Sequence, residues 1–232
     1  MHRGLMLAVA LTLLAGRAAA AGEPRLLLSW NAPYGSPRAL ENIAAACDSA
    51  GLDTLYLSFD PGRDSPTFLG MSGTLYFHAA GGDSLGSFWK IDDMNTPGSP
   101  LHVGFDSDSA RAFQTPYETQ GAGQGRYDYT IGSGRLRMIY AVPENGASPV
   151  KSGRVYGLAR VTIRHPHSGA GGCAQPICVE WHDASLAFTT SGVVDANRGQ
   201  RWVSLNSPNG KVCDSFRDTY APKTWKPKSP KP

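Results

Sequence analysis

Apolar and polar residues alternate along several short segments of the chain, and the clearest of these segments runs from residue 53 to residue 60. There Leu55, Leu57 and Phe59 occupy every second position. A period of two residues is typical of a β-strand that buries one face. The sequence Asp-Pro-Gly at 60–62 then predicts a turn that ends the strand.

The same alternation predicts further strands, and these lie at about 74–78, 135–142, 155–164, 177–181, 185–188 and 202–205. The segment 92–134 is rich in Gly, Ser, Asp and Pro, so we expect loops and edge strands there. One helix is predicted over 37–46, with Ser36 as its N-cap and Pro37 in its first turn. These elements predict an all-β fold, an antiparallel β-sandwich of jelly-roll or immunoglobulin-like type with little or no helix.

The two ends of the chain differ in composition from its body. Residues 1–21 combine Arg3, the apolar run 5–14 and the small residues 18–21, which is the pattern of a secretory signal peptide. Residues 216–232 are rich in Pro and Lys, and we expect them to form a disordered tail. The sequence therefore predicts one β-sandwich domain over 22–215, in a secreted or periplasmic protein.

Composition and charge narrow the class of protein further. Charged residues make up 18% of the chain, too few for a coiled coil, and only one apolar run exists, which excludes a polytopic membrane protein. The formal net charge is +3, and loss of the signal peptide would leave 20 basic residues against 19 acidic ones. Such a chain has no basic field to attract nucleic acid, and we expect neither a nucleic-acid partner nor a transmembrane segment.

All four cysteines follow the predicted signal peptide, so two disulfides are expected in an oxidising compartment. Cys173 and Cys178 are close in sequence with Pro176 between them, and we predict that they pair. Cys47 would then pair with Cys213. A zinc site is disfavoured because Cys-x4-Cys lacks the tight spacing of a zinc knuckle.

Candidate chemistry is sparse. Gly70-Met71-Ser72-Gly73 lacks the last glycine of a nucleophile elbow. On a regular strand Glu180 and His182 share one face and Asp183 lies on the other, an unspecific arrangement for a general acid and base. No catalytic residue is predicted.

Acidic clusters at 60–64, 92–95 and 106–108 raise the question of calcium. None of them matches the twelve-residue calcium loop, and Asp is common in turns for backbone reasons alone. No cofactor or metal ligand is therefore predicted. A structural calcium ion remains an alternative without a preferred site.

One face of the predicted sheet combines residue types that are enriched at protein interfaces. We expect the apolar residues Leu55, Phe77, Leu136 and Met138 to point into the core. The residues expected to point outward and to bind a partner are Tyr56, Tyr76, His78, Arg135 and Arg137.

A run of strand-like segments fills the C-terminal half at 134–140, 156–163, 177–180 and 184–188, with 75–77 upstream. In these segments the chain resembles the cohesin family and related bacterial carbohydrate-binding-like sandwiches. The resemblance implies a jelly-roll sandwich that docks a partner on one sheet face without catalysis. We therefore expect a secreted binding or adhesion module with a protein or carbohydrate partner; the alternatives are a secreted hydrolase and a structural envelope or matrix component.

Overall fold

The computed structural model describes most of the predicted domain. The described residues are 22–47, 50–80, 84–89, 101–105, 124–130, 134–141, 148–165, 171–189, 191–196 and 198–220. The predicted signal peptide at 1–21, the acidic clusters at 92–95 and 106–108, and residues 221–232 of the predicted tail lie outside these ranges.

Strands dominate the described part of the chain. They are β1 Arg25–Trp30, β2 Asn42–Ile43, β3 Leu52–Asp60, β4 Ser65–Ala79, β5 Leu101–Gly104, β6 Gln124–Thr130, β7 Arg135–Ala141, β8 Ser148–Val150, β9 Tyr156–Arg164, β10 Ile177–Phe188, β11 Gly192–Ala196 and β12 Trp202–Leu205. Short 3-10 helices cover Ser87–Trp89 and Pro208–Cys213, and helix α1 covers Asp214–Tyr220.

The strands form two sheets. The small sheet has the order β1-β3-β9-β5, and the large sheet has the order β2-β12-β10-β4-β7-β6, with β11 beside β10 and β8 beside β4. Neighbouring strands run antiparallel, except that β2 is parallel to β12. The prediction of an antiparallel β-sandwich with little helix is confirmed.

The core lies between the two sheets and is rich in large aromatic side chains. Phe59 of the small sheet stacks on Phe68 of the large sheet with ring centroids 5.1 Å apart. Trp30 and Trp181 are fully buried on opposite sheets. Burial of each such side chain stabilises the fold by about 1.5–3 kcal/mol. All four residues predicted to point inward, Leu55, Phe77, Leu136 and Met138, are buried.

The central strands of the large sheet are longer than the alternation predicts. β4 spans 15 residues, of which only 74–78 are predicted as strand. β10 joins the two predicted segments 177–181 and 185–188 into one strand of 12 residues. A β-bulge between Trp181 and Asp183 allows β10 to continue, because it absorbs the break in the alternating pattern.

The helix predicted over 37–46 is wrong. The N–H and C=O of Leu40 both bond to the backbone of Trp30, at 3.2 and 2.8 Å. Beyond Leu40, the segment Asn42–Ile43 pairs with β12 as strand β2. The backbone groups that a helix would need are thus taken by the sheet edges.

The predicted disulfide pairing is also wrong. Cys47 bonds to Cys173, and Cys178 bonds to Cys213. Asn206 explains the first pair, because its side-chain oxygen accepts from the Ala45 N–H at 2.7 Å and its amide donates to the Cys173 carbonyl at 2.8 Å. Cys178 lies one residue into β10, and its strand position carries it away from Cys173 and toward the C-terminal helices.

Helix α1 occupies part of the predicted tail. It begins at Asp214, directly after Cys213, and extends to Tyr220, five residues past the predicted end of the domain. In the residues described, no helix is both long and apolar enough to cross a lipid bilayer.

Candidate functional site

The candidate site is the outer face of the large sheet, and β4 runs along its middle. The strand pairing sets three rows of side chains across this face. Each row contains one residue of β7, one of β4 and one of β10: Ile139, Ser72 and Ser185; Arg137, Thr74 and Asp183; Arg135, Tyr76 and Glu180. The small side chain of Thr74 thus lies between the longer ones of Arg137 and Asp183, and Ser72 lies between Ile139 and Ser185.

A groove of about 840 Å³ follows from this arrangement, and we call it the outer groove. Its floor includes Ser72, Gly73 and Thr74 of β4. Gly73 faces the core side of β4, opposite the buried Met138 and Ala184, where a Cβ would lie 2.9 Å from the Trp181 indole nitrogen and 3.0 Å from the Asp183 carbonyl oxygen. A larger residue at 73 would have to push one of these neighbours away.

The two sides of the outer groove carry opposite charge. Arginines dominate the side formed by β6 and β7, where the charged residues are Arg126, Asp128, Arg135 and Arg137. Aspartates line the side formed by β10 and β11, namely Asp183 and Asp195. Neighbouring strands lie about 4.8 Å apart, so β7 and β10 are separated by roughly 10 Å across β4.

The β-bulge in β10 changes which side chains reach the groove. On a regular strand Asp183 would point away from His182, as the sequence predicts. Because the bulge inserts one extra residue, Asp183 pairs with Thr74 and lines the groove together with His182. The prediction that Asp183 lies on the opposite face is therefore wrong.

Glu180 lies at one end of the groove and is fully buried. One carboxylate oxygen accepts from His78 Nε2 at 3.1 Å, and the other accepts from His182 Nδ1 at 3.1 Å. The guanidinium of Arg201 lies 3.9 Å from the second oxygen. Since a carboxylate can only accept hydrogen bonds, both imidazoles donate to it, and the buried acid fixes the orientation of the two rings.

Aromatic rings surround this cluster. Tyr76 stacks on His78 at 5.7 Å and meets the edge of His182 at 5.2 Å. Phe216 of helix α1 stacks on His78 at 4.7 Å. The Cys178–Cys213 disulfide ties the start of that helix to β10, so it also holds Phe216 against the sheet.

Four of the five residues predicted to form a binding face lie together. Tyr76, Arg135 and Arg137 line the outer groove, and His78 contacts Tyr76 at its end. Tyr56 does not belong to this face, because it lies in the small sheet, where it pairs with Ser29 and Arg160. A single face containing all five residues is therefore wrong, since alternation within one strand does not say which sheet the strand joins.

The groove also contains residues that the sequence analysis missed. Ile139 was predicted to lie in a strand without being assigned to the binding face, yet 54% of its surface is exposed. Asp195 belongs to β11, for which no strand was predicted, and it accepts from the Ser185 hydroxyl at 2.7 Å. Arg126 belongs to β6, in a segment read as loop or edge strand. The one signal in the sequence for this surface is an apolar residue, Ile139, at an outward position of an alternating strand.

The acidic cluster at 60–64 has a structural role. Burial alone would raise the pKa of Asp60, but hydrogen bonds from the Gly62 N–H, the Arg25 guanidinium and the Gly153 N–H outweigh it and hold the pKa below its ordinary 3.8. Asp64 accepts from the Ser152 N–H at 2.8 Å. These carboxylates join the loop after β3 to the loop before β9, and neither of them lines the outer groove.

Comparison with known proteins finds similarity at the level of structure. No family model and no curated protein sequence matches the chain. A cohesin module from a family 33 glycoside hydrolase of Clostridium perfringens covers 81% of this chain and 99% of its own, with 8% identity and a TM-score of 0.43. The second type II cohesin module of the adaptor ScaA scaffoldin of Acetivibrio cellulolyticus covers 80% and 98%, with 7% identity and a TM-score of 0.44.

A type I cohesin–dockerin complex from Clostridium thermocellum gives a similar result, with 10% identity, a TM-score of 0.41 and coverage of 79% of this chain and 94% of that one. The structures that this chain resembles are cohesin modules, the same family that the C-terminal half resembles in sequence. With TM-scores below 0.5 these similarities carry no argument about partner or site. The case for function rests on the outer groove itself.

Proposed function

We propose that the protein is a secreted, non-catalytic binding module that docks a segment of a protein partner in the outer groove. The observation that carries the proposal is the pairing of an arginine-rich side with an aspartate side across a floor of small residues. A polypeptide segment that has acidic side chains on one flank and basic ones on the other complements both sides at once.

The width of the groove supports a helical segment. The separation of roughly 10 Å between β7 and β10 is close to the diameter of an α-helix with its side chains, about 10–12 Å. Ser72 and Thr74 lie at the floor and leave room for such a cylinder. A helix lying along β4 would bring its flanks to Arg137 on one side and Asp183 on the other.

Exposed apolar and aromatic side chains enlarge the proposed docking surface beyond the charged residues of the outer groove. Val193 lies two residues from Asp195 on β11 and is 69% exposed, and Ile139 of β7 lines the groove in the row of Ser72, Ser185 and Asp195. Tyr76 lines the opposite end of the groove. Apolar and aromatic anchors at both ends, with charges between them, are the anatomy expected of a protein interface.

Two observations favour a protein partner over a carbohydrate partner or a hydrolase. The ring of Tyr76 stacks on His78, so it does not offer two open faces to a sugar. Glu180 is fully buried and both of its oxygens are held by histidines, so it serves to position those rings rather than to meet a substrate. The two disulfides support export to an oxidising compartment.

The test uses charge reversal on each side of the groove. The immobilised protein captures partners from the secreted proteins of its source organism, and calorimetry then gives the Kd of each captured protein. We expect Arg137→Glu and Asp183→Lys each to weaken binding at least tenfold, about 1.4 kcal/mol. Arg164→Glu is the matched control, because Arg164 is exposed on the small sheet.

The outcomes separate the candidate functions. Equal Kd values for the wild type and both groove variants would overturn the proposal. Capture of secreted glycans instead of proteins would favour the carbohydrate partner. Self-association of the protein into polymers under the same conditions would favour a structural envelope or matrix component.

A further inference from the structure

A second cluster of reactive side chains lies away from the outer groove. The sulfur atoms of Cys47 and Cys173 and a ring nitrogen of His165 all lie within 4.8 Å of one another. Cys173 and His165 are each only 2% exposed. His165 directly follows β9, and Cys173 lies in the turn before β10. None of the three residues lines the outer groove.

The imidazole of His165 is held in one orientation. Its Nε2 lies 2.6 Å from a carboxylate oxygen of Asp53, and its ring is parallel to that of Phe88 at 6.2 Å. The other nitrogen, Nδ1, points at Cys173 Sγ at a distance of 3.5 Å. A disulfide sulfur carries no proton, so Cys173 Sγ cannot donate a hydrogen bond to Nδ1.

We propose that the reduced form of this cluster is a binding site for Zn²⁺. The ligands are the thiolates of Cys47 and Cys173 and Nδ1 of His165, with a fourth position open to water or another ligand. Asp53 then bonds to the far nitrogen of the ligating histidine. A carboxylate in that position is the usual support of a zinc-bound imidazole, because it fixes the tautomer and the ring orientation.

The distances suit a tetrahedral ion. With Zn–S of about 2.3 Å and Zn–N of about 2.05 Å, a tetrahedral site separates sulfur from nitrogen by roughly 3.6 Å. The observed separation between Cys173 Sγ and His165 Nδ1 is 3.5 Å. In a tetrahedral site the two sulfurs would lie roughly 3.8 Å apart, a separation that two cysteines with Cα atoms 5.8 Å apart can span.

Reduction and zinc binding balance as two separate steps. A dithiol reductant gives two electrons and two protons to the Cys47–Cys173 bond and itself becomes a disulfide. Zn²⁺ then displaces the two thiol protons, and the two thiolates neutralise the charge of the ion. The thiolates matter because an uncompensated ion in this buried place would carry a large desolvation cost. The disulfide and the zinc site are therefore alternative states of one cluster.

In the test, a phosphine first reduces both disulfides and is itself oxidised to the phosphine oxide. Co²⁺ is then titrated into the reduced protein. We expect one Co²⁺ per chain, with the thiolate-to-metal absorption and the visible bands of tetrahedral cobalt, and displacement by Zn²⁺. Cys178→Ser/Cys213→Ser should keep this spectrum, whereas Cys47→Ser/Cys173→Ser should lose it. His165→Gln should weaken binding at least tenfold, and the unreduced protein should bind no Co²⁺ with this spectrum.

Asp53→Asn separates a zinc site from two thiols that bind metal without the histidine. Among the described residues the Asp53 carboxylate bonds to His165, so we expect this variant to weaken binding about 10–100-fold. Identical affinity in the wild type, His165→Gln and Asp53→Asn would overturn the proposal. So would loss of the spectrum in the Cys178→Ser/Cys213→Ser variant alone. If reduction unfolds the protein and Zn²⁺ does not restore its β-sheet circular dichroism, the proposal is also wrong, since binding to the folded state must stabilise it.

Discussion

Replacing Glu180 by glutamine tests whether the buried carboxylate organises the end of the outer groove. Glutamine keeps the volume of the side chain but has one acceptor oxygen, so at most one of the hydrogen bonds from His78 and His182 survives in its present form. The amide nitrogen that replaces the other oxygen is a donor and opposes the second imidazole N–H. Arg201, 3.9 Å away, loses its nearby counter-charge.

A hydrogen bond to a charged group contributes about 1.5–3 kcal/mol, and the partial exposure of His182 lowers its share. We therefore expect Glu180→Gln to lower the free energy of unfolding by about 2 kcal/mol. For a domain of 150–250 residues this corresponds to a fall in Tm of about 4–8 °C.

Urea unfolding followed by tryptophan fluorescence, together with a thermal melt, measures both quantities. Asp183→Asn is the matched control, because Asp183 is exposed on the same strand, and its effect should stay within about 0.5 kcal/mol. If Glu180→Gln costs no more than this control, the carboxylate does not hold the two histidines, and the account of this end of the groove fails.

Three further changes test contacts that hold the fold together. Asp60→Asn should lower the free energy of unfolding at neutral pH. Because folding lowers the pKa of Asp60, the difference in stability from wild type should be full above the unfolded pKa of 3.8 and should vanish as the pH falls through the folded pKa. Urea unfolding at several pH values measures this difference. Gly134→Ala should cost more than about 1 kcal/mol in urea unfolding, since φ is +58° and the added Cβ would lie 2.5 Å from the carbonyl oxygen of Phe77. Cys178→Ser/Cys213→Ser should lower the free energy of unfolding by about 4 kcal/mol, on the chain-entropy model of a closed loop. A loss below about 1 kcal/mol would show that this disulfide does not stabilise the fold by closing the loop.

The strands and their inward faces could be predicted from the sequence because alternation is a local property. Leu136 and Met138 occupy every second position of β7, and burial of that face follows directly. What alternation cannot say is which sheet a strand joins. Tyr56 has the same local pattern as Tyr76, yet the two lie in different sheets.

The errors in the disulfide pairing and at Asp183 share another cause, namely contacts between distant parts of the chain. The disulfide pairing was predicted from sequence proximity, but Asn206 draws the segment of Cys47 to the turn of Cys173. Asp183 was assigned from a regular strand, and one inserted residue in the bulge moved it into the groove. Asn206 leaves no signal in the composition or the period of the sequence. The bulge appears there only as a break in the alternation, which does not show that one strand continues through it.

The most direct test of the central claim places a photo-crosslinking amino acid at position 139 and, in a second protein, at position 52. Ile139 lies in the outer groove and Leu52 lies in the small sheet, and the two are similarly exposed at 54% and 58%. After irradiation with the secreted proteins of the source organism, the protein labelled at Ile139 should crosslink to a discrete polypeptide partner, and the protein labelled at Leu52 should not. Equal yields at both positions, or a crosslink at Leu52 alone, would contradict docking in the outer groove.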